Sequence, residues 1–263
     1  MTSKNAFDIM KDQIRDKYEG DPEWKAESDR LFGPEEASAL WHELEKSHII
    51  PEPEADVNIV SVSANIPTHE LAMFKADLLT RKGKSRFVIG DISELRVKTF
   101  IDELVEPYTT FRNRFAYIRW DAYNLPVPDS SADVIFDRKG ALWHIAHNYR
   151  DTQKLIETFK EYHRILKPGG SLVVDNIGGF EAYLKGLSRE RQLEIALKTL
   201  SGIRFSDIYP DAPMQYEPST IDKIRTLALA VSDNTELIIT IEDLFEIQDI
   251  GEGALSVKIF TKK

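Results

Sequence analysis

Three aspartates stand where short apolar runs end: Asp91 after Arg86 to Gly90, Asp121 after Phe115 to Trp120, and Asp137 after Val134 to Phe136. Open α/β sheets bind ligands outside the carboxyl ends of their strands, so carboxylates at such places can accept hydroxyl or amino groups of a bound molecule. A lone aspartate after a strand also serves as a turn residue or a helix cap, and Asp137 is placed to cap the segment that follows it. Beside it, Arg138 could hold a carboxylate or phosphate in a fork, or form a solvated pair with Lys139 at a helix start. His144 and His147 lie three apart on a helical stretch and could share a metal. No carboxylate stands at a supporting spacing, so packing or solvent exposure accounts better for the pair, while His144 alone could act as a general base.

These residues need elements to position them. From Asp56 onward, short apolar runs alternate with helical stretches: Val57 to Ser63, a helix around Thr68 to Arg81, Arg86 to Gly90, and a helix around Glu94 to Val105. Phe115 to Trp120, Val134 to Phe136, a helix from near Asp151 and Ser171 to Asp175 continue the series. That alternation is the pattern of a parallel sheet with crossover helices. Lys167-Pro-Gly-Gly ends the Asp151 helix, because proline cannot continue it and glycine accepts a left-handed cap. Two further helices carry Leu193, Ala196, Leu197 and Leu200, then Ile221, Ile224, Ala228 and Val231. Phe245 to Ile250 and Leu255 to Phe260 are separated by too few residues for a parallel crossover and are expected to form an antiparallel hairpin.

The first 50 residues read as helical, with one stripe of Phe7, Met10, Ile14 and Tyr18 and another of Ala37, Leu40, Trp41 and Leu44 after Gly33-Pro34. Residues 1–55 are therefore expected to form a helical N-terminal cap over a domain of residues 56–263. The chain has 263 residues, 42% of them hydrophobic, enough for one large core. It has no cysteine, which removes disulfides and thiolate chemistry. Its net charge of −10 is concentrated in residues 1–56, where acids outnumber bases by eight. An acidic face repels phosphate backbones, so nucleic acid is a poor partner and small molecules or proteins are better ones. No apolar stretch approaches the roughly 18 residues of a membrane span, and Asp8, Asp12 and Asp16 interrupt the place of a signal peptide. A cytoplasmic protein is the expectation; the oligomeric state is left open.

Several strings resemble the Rossmann-like S-adenosylmethionine-dependent methyltransferases. Asp121-Ala-Tyr-Asn-Leu-Pro-Val-Pro-Asp-Ser-Ser-Ala-Asp-Val-Ile-Phe136 is similar to that family's strand-end acid, following loop and fourth strand. Tyr162-His-Arg-Ile-Leu-Lys-Pro-Gly-Gly-Ser-Leu-Val-Val174 is similar to its helix, turn and fifth strand. The resemblance implies a doubly wound, mostly parallel seven-stranded α/β sheet with an antiparallel C-terminal hairpin. It also implies S-adenosyl-L-methionine as cofactor, with Asp91 and Ile92 at the ribose, Asp121 and Ala122 at the adenine, and Asp137 near the place where methyl donor and acceptor meet. After the first strand the family usually has an acid and a glycine-rich turn. Here the string is Ile59-Val-Ser61-Val-Ser63-Ala64-Asn65-Ile-Pro67, with neither. Its small residues, and Asn65 with its tolerance of left-handed backbone, still permit a tight turn at the cofactor. Asp137-Arg-Lys-Gly-Ala-Leu142 has a local likeness to the thiopurine methyltransferases, which implies Arg138 as a substrate contact.

The implied activity is in-line methyl transfer to a nucleophile on a small molecule, ahead of one on a protein, with Asp137 and His144 as candidate catalytic groups. Such a reaction needs alignment and exclusion of water more than acid-base help. The rival of another class is a methyltransferase-like protein that binds or scaffolds without catalysis. A short-chain dehydrogenase is set aside because no tyrosine has lysine four residues later, and a P-loop hydrolase because its phosphate-binding string is missing.

Overall fold

The computed structural model describes residues 33–64, 68–92, 113–138, 140–145, 151–175, 234–251 and 257–263. Asn65, His147, the side chain of Trp143, the first helical stripe, the Glu94 helix and the two helices between residues 190 and 231 lie outside the described residues.

Helix α1 (Pro34–Lys46) starts where proline presets the helical φ, and Glu36 reaches back to accept the Gly33 N–H at 2.9 Å. Strand β1 (Val57–Val62), helix α2 (Thr68–Thr80), strand β2 (Ser85–Asp91), strand β3 (Phe115–Arg119) and strand β4 (Ala132–Asp137) follow. A short helix α3 (Ala141–His144) precedes α4 (Thr152–Ile165), whose first turn is capped by the Asp151 carboxylate accepting the Lys154 N–H at 2.9 Å. Strand β5 (Leu166–Asp175), helix α5 (Asn234–Leu244), strand β6 (Phe245–Ile250) and strand β7 (Val257–Lys262) complete the described elements.

The seven strands form one sheet in the order β3-β2-β1-β4-β5-β7-β6. Strands β1 to β5 pair in parallel, whereas β7 is antiparallel to both β5 and β6, as the short connection between β6 and β7 requires. Strand β5 begins at Leu166, earlier than the expected Ser171. Its Lys167-Pro-Gly-Gly segment leaves the helix and stays in the sheet as an irregularity, with Ala132 facing Leu166 but Val134 facing Ser171. Gly169 takes a φ of 74° there, the left-handed backbone that glycine adopts at low cost. Helix α5 is an element that sequence patterning missed, although Leu237, Ile241 and Leu244 have helical spacing. Among the described residues, no helix is long and apolar enough to cross a membrane.

Helices cover both faces of the sheet, so its central strands are nearly continuous apolar runs. On one face, Val60, Val62, Ile135, Leu172 and Val174 pack against Leu155, Ile156 and Phe159 of α4 and Leu237 and Ile241 of α5. On the other, Ile59, Phe87, Ile89, Val134 and Phe136 pack against Phe74 of α2 and against Ala37, Leu40, Trp41 and Leu44 of α1. The Trp41 ring lies 6.2 Å from Phe87, which stacks on Phe115 at 5.6 Å. Helix α1 is thus built into the core of the sheet domain.

Two buried polar groups hold the approach to β1. Arg81 donates to the carbonyls of Pro51 and Ala55, and its Nε is 3.2 Å from Asp77, whose carboxylate also accepts the Ser85 N–H and hydroxyl at 3.1 and 2.7 Å. Burial pushes the Asp77 carboxyl above its ordinary range, against the opposing pull of Ser85 and Arg81. Because Trp41 is fully buried on the sheet, Trp41→Ala is expected to destabilise the protein by about 3–5 kcal/mol. Chemical denaturation of the full chain measures this directly, and removal of residues 1–50 should leave no folded domain.

Candidate active site

The register brings the strand ends level. Val62 faces Gly90, Gly90 faces Ile118, Asp91 faces Arg119, and Phe136 faces Ser61, so β1 to β4 all finish along one carboxyl edge. The ladder runs slightly past the strands: Ala64 N–H donates to the Gly90 carbonyl at 3.2 Å and Trp120 N–H to the Asp91 carbonyl at 3.1 Å. Ser61, Ser63, Ala64, Asp91, Ile92, Asp121, Ala122, Asp137, Arg138 and His144 are therefore carried by four strand ends and the short helix after the fourth.

The glycine-free turn forms by means that the sequence did not display. Ser63 has a φ of 61°, the left-handed conformation that costs a non-glycine residue about 1–2 kcal/mol. Room for its side chain comes from the opposite strand end. A Cβ on Gly140 would stand 2.1 Å from Asp137 Oδ1, and 3.1 Å from both Ser63 Cβ and the Val62 carbonyl. The small residue that permits close approach is thus on the β4 side. On β2, Gly90 has a similar part, since a Cβ there would lie 1.9 Å from the Trp120 ring.

Beneath the turn, the buried Ser61 hydroxyl donates to Glu70 Oε1, from the first turn of α2. Glu70 is itself buried, and its Oε2 has no hydrogen-bond partner. Tyr117 of β3 feels the same carboxylate: burial first, and the Glu70 charge second, raise its hydroxyl pKa well above the ordinary value. Glu70 was not singled out from the sequence. Its position three residues after Pro67, at a helix start, reads as an ordinary first-turn acid.

Asp91 lies at the end of β2, mostly buried at 9% exposure, and Asp121 at a half-buried turn closed by the Asn124 N–H on its carbonyl at 3.0 Å. The loop that carries Asp121 is held from behind by Arg164 of α4. The Arg164 guanidinium donates to the carbonyls of Leu125 and Val127 at 3.0 and 2.9 Å and to Glu161 at 2.7 Å, while Glu161 accepts the Leu125 N–H at 2.6 Å. Lys154, at the start of the same helix, sits 4.3 Å over the Tyr123 ring.

Asp137, expected near the reacting groups, also serves the framework. It is 1% exposed, and its Oδ2 accepts the Leu142 N–H at 3.0 Å and the Tyr162 hydroxyl at 2.7 Å. Burial, and then the Asp137 charge, raise the Tyr162 pKa, so the hydroxyl keeps its proton and donates. Through Oδ2 the carboxylate starts α3 and docks α4. Arg138 and His144 are half-buried, and both engage other groups. Among the described residues, no cluster of three or more histidine or acidic side chains could hold a metal.

The residues present fit a nucleoside-bearing cofactor on structural grounds: acids at the ends of β2 and β3, a left-handed turn at β1, close approaches secured by Gly90 and Gly140, and a buried carboxylate oxygen with no partner. Two measurements test how this edge is built. Ser63→Gly relieves the left-handed strain, offset in part by glycine's greater freedom when unfolded, and is expected to raise stability by about 0.5–1 kcal/mol in a thermal melt. Burial alone would push Glu161 up, but Arg164 and the Leu125 N–H outweigh it and hold the carboxyl below its ordinary range. A carboxyl depressed in the folded state stabilises above its unfolded pKa and loses that contribution as pH falls through the folded one. Stability should therefore fall below the ordinary carboxylate pKa, and less steeply in Glu161→Gln.

Residues 73–174 match the family model described as a methyltransferase domain. No curated protein matches the chain. Among solved structures, an S-adenosylmethionine-dependent methyltransferase from Aquifex aeolicus is similar over 98% of this chain and 98% of its own, at 15% identity and a TM-score of 0.45. Phosphoethanolamine N-methyltransferase 1 of Haemonchus contortus, in complex with phosphoethanolamine and S-adenosylhomocysteine, is similar over 66% of this chain and 33% of its own, at 18% identity and a TM-score of 0.44. The fold rests on the strand order itself. Residues 73–174 thus match a methyltransferase domain, on the doubly wound sheet that the strand order defines.

Proposed function

We propose that the protein transfers a methyl group from S-adenosylmethionine to a nucleophile on a small molecule by in-line displacement. The observation that carries this reading is the level carboxyl edge of β1 to β4, which brings Asp91 and Asp121, both inside the residues matched as a methyltransferase domain, level with the Ser61–Ala64 turn. Bound there, the cofactor would supply an electrophilic methyl group on a sulfonium that is already a good leaving group.

The chain's own residues then have limited tasks. Asp91 accepts the ribose hydroxyls, with Ile92 beside it, since a carboxylate can take two neighbouring donors at once. Asp121 and Ala122 meet the adenine, on a loop that Arg164 and Glu161 keep in place. The turn from Ser61 to Ala64, with Asn65 after it, offers backbone to the methionine end. Arg138 and His144 stand on the acceptor side, Arg138 as an anion contact and His144 as the group that can take the acceptor's proton. Alignment and exclusion of water supply much of the rate in such a reaction.

Calorimetric titration of the full chain with S-adenosylmethionine and S-adenosylhomocysteine tests the reading. Wild type should bind both. Asp91→Ala should lose hydrogen bonds made to a charged acceptor, about 1.5–3 kcal/mol, or about ten- to a hundredfold in affinity, while remaining folded. A wild type silent to both ligands at millimolar concentration overturns the enzyme reading in favour of a binding or scaffold protein.

A further inference from the structure

Burying a carboxylate costs free energy that hydrogen bonds or a nearby cation must offset. Asp77, the other buried acid of α2, is met by Ser85 and by Arg81. Glu70 is met by the Ser61 hydroxyl at Oε1 and by nothing at Oε2, which is shielded from solvent. Nor does the opposite face of the group help, since Tyr117 carries no positive charge and is itself unfavourably placed for ionisation by that carboxylate. Through Ser61 the incomplete group is tied to the carboxyl end of β1, the strand between β2 and β4 at which the winding of the sheet reverses. It also touches Ser61, the strand-end residue just before the turn, on a strand whose string Ile59 to Pro67 contains no acid.

We propose that Glu70 supplies from α2 the carboxylate that the end of β1 lacks, and that its negative charge, held against Ser61, selects the ammonium of the amino-acid end of the cofactor. The proposal rests on the S-adenosylmethionine reading above. Glu70 is a positioning residue: Ser61 couples it to the turn, and burial leaves its charge weakly screened. The arrangement leaves Ser61 small enough for the turn that Ser63 makes in a left-handed conformation, while keeping a full negative charge at the same level of the sheet.

Two ligands separate this role from a merely structural one. S-adenosylhomocysteine carries the amino-acid end, whereas 5′-methylthioadenosine keeps the adenosine and thioether without it. Both are titrated calorimetrically into the full-length wild type, Glu70→Gln, and the double variant Ser61→Asp/Glu70→Gln, which returns the carboxylate to the strand and lets the new amide donate to it. Glu70→Gln should weaken S-adenosylhomocysteine by about ten- to a hundredfold and leave methylthioadenosine within about twofold. The double variant should recover most of the preference for S-adenosylhomocysteine. A Glu70→Gln protein that binds both ligands as wild type does, or that loses both equally, overturns the proposal while leaving the cofactor reading intact; a wild type that binds neither overturns the cofactor reading itself. Should Glu70→Gln fail to fold, the double variant decides: wild-type preference in it supports the proposal, and its absence, or failure to fold, overturns it.

Discussion

The carboxyl edge depends on β1, the strand at which the sheet changes its direction of winding. With β2 and β3 laid to one side and β4 and β5 to the other, successive connections leave the edge in opposite senses, and the gap between them is where a ligand can reach several strand ends at once. A parallel sheet of this kind must be covered on both faces, because its central strands are apolar throughout. Helices α1 and α2 cover one face and α4 and α5 the other, so the site is pinned from both sides.

That burial brings polar groups inside, and the chain answers several of them with local partners. Arg81 and Ser85 surround Asp77 and fix the carbonyls of Pro51 and Ala55, which sets where the chain enters β1. Glu161 and Arg164 grip the backbone from Leu125 to Val127, which sets where Asp121 stands. Asp137 joins α3 to α4 through Leu142 and Tyr162. The residues expected to meet ligand and those that hold the loops are thus separate sets, apart from Asp137, which stands in both.

The turn after β1 shows how close approach can be achieved without the expected residues. A glycine-rich string relieves crowding at the turn itself; here Gly140 relieves it from across the crevice, and Ser63 accepts a left-handed backbone. The negative charge is likewise displaced, from the strand to the first turn of α2. Both exchanges link positions far apart in sequence, because steric room and charge are properties of a place in the fold and can be supplied by whichever element reaches it.

What the sequence determined by itself was periodic or local. Alternating apolar runs and helical stripes announced β1 to β5, α1, α2, α4 and the terminal hairpin, since these patterns follow from the periods of strand and helix. The strand-end position of Asp91 and Asp121 was legible for the same reason, and so was the absence of acid and glycine after β1. Helix α5 was missed because its short apolar spacing sits directly against a strand and has no distinct stop. Only the tertiary structure decided that α1 belongs to the core, that Asp137 meets Leu142 and Tyr162, that Gly140 makes room for Ser63, and that Glu70 meets Ser61. Each of these turns on which atoms from distant segments share a buried space, and hydrophobic periodicity records which face a residue occupies but not which partner it will find there.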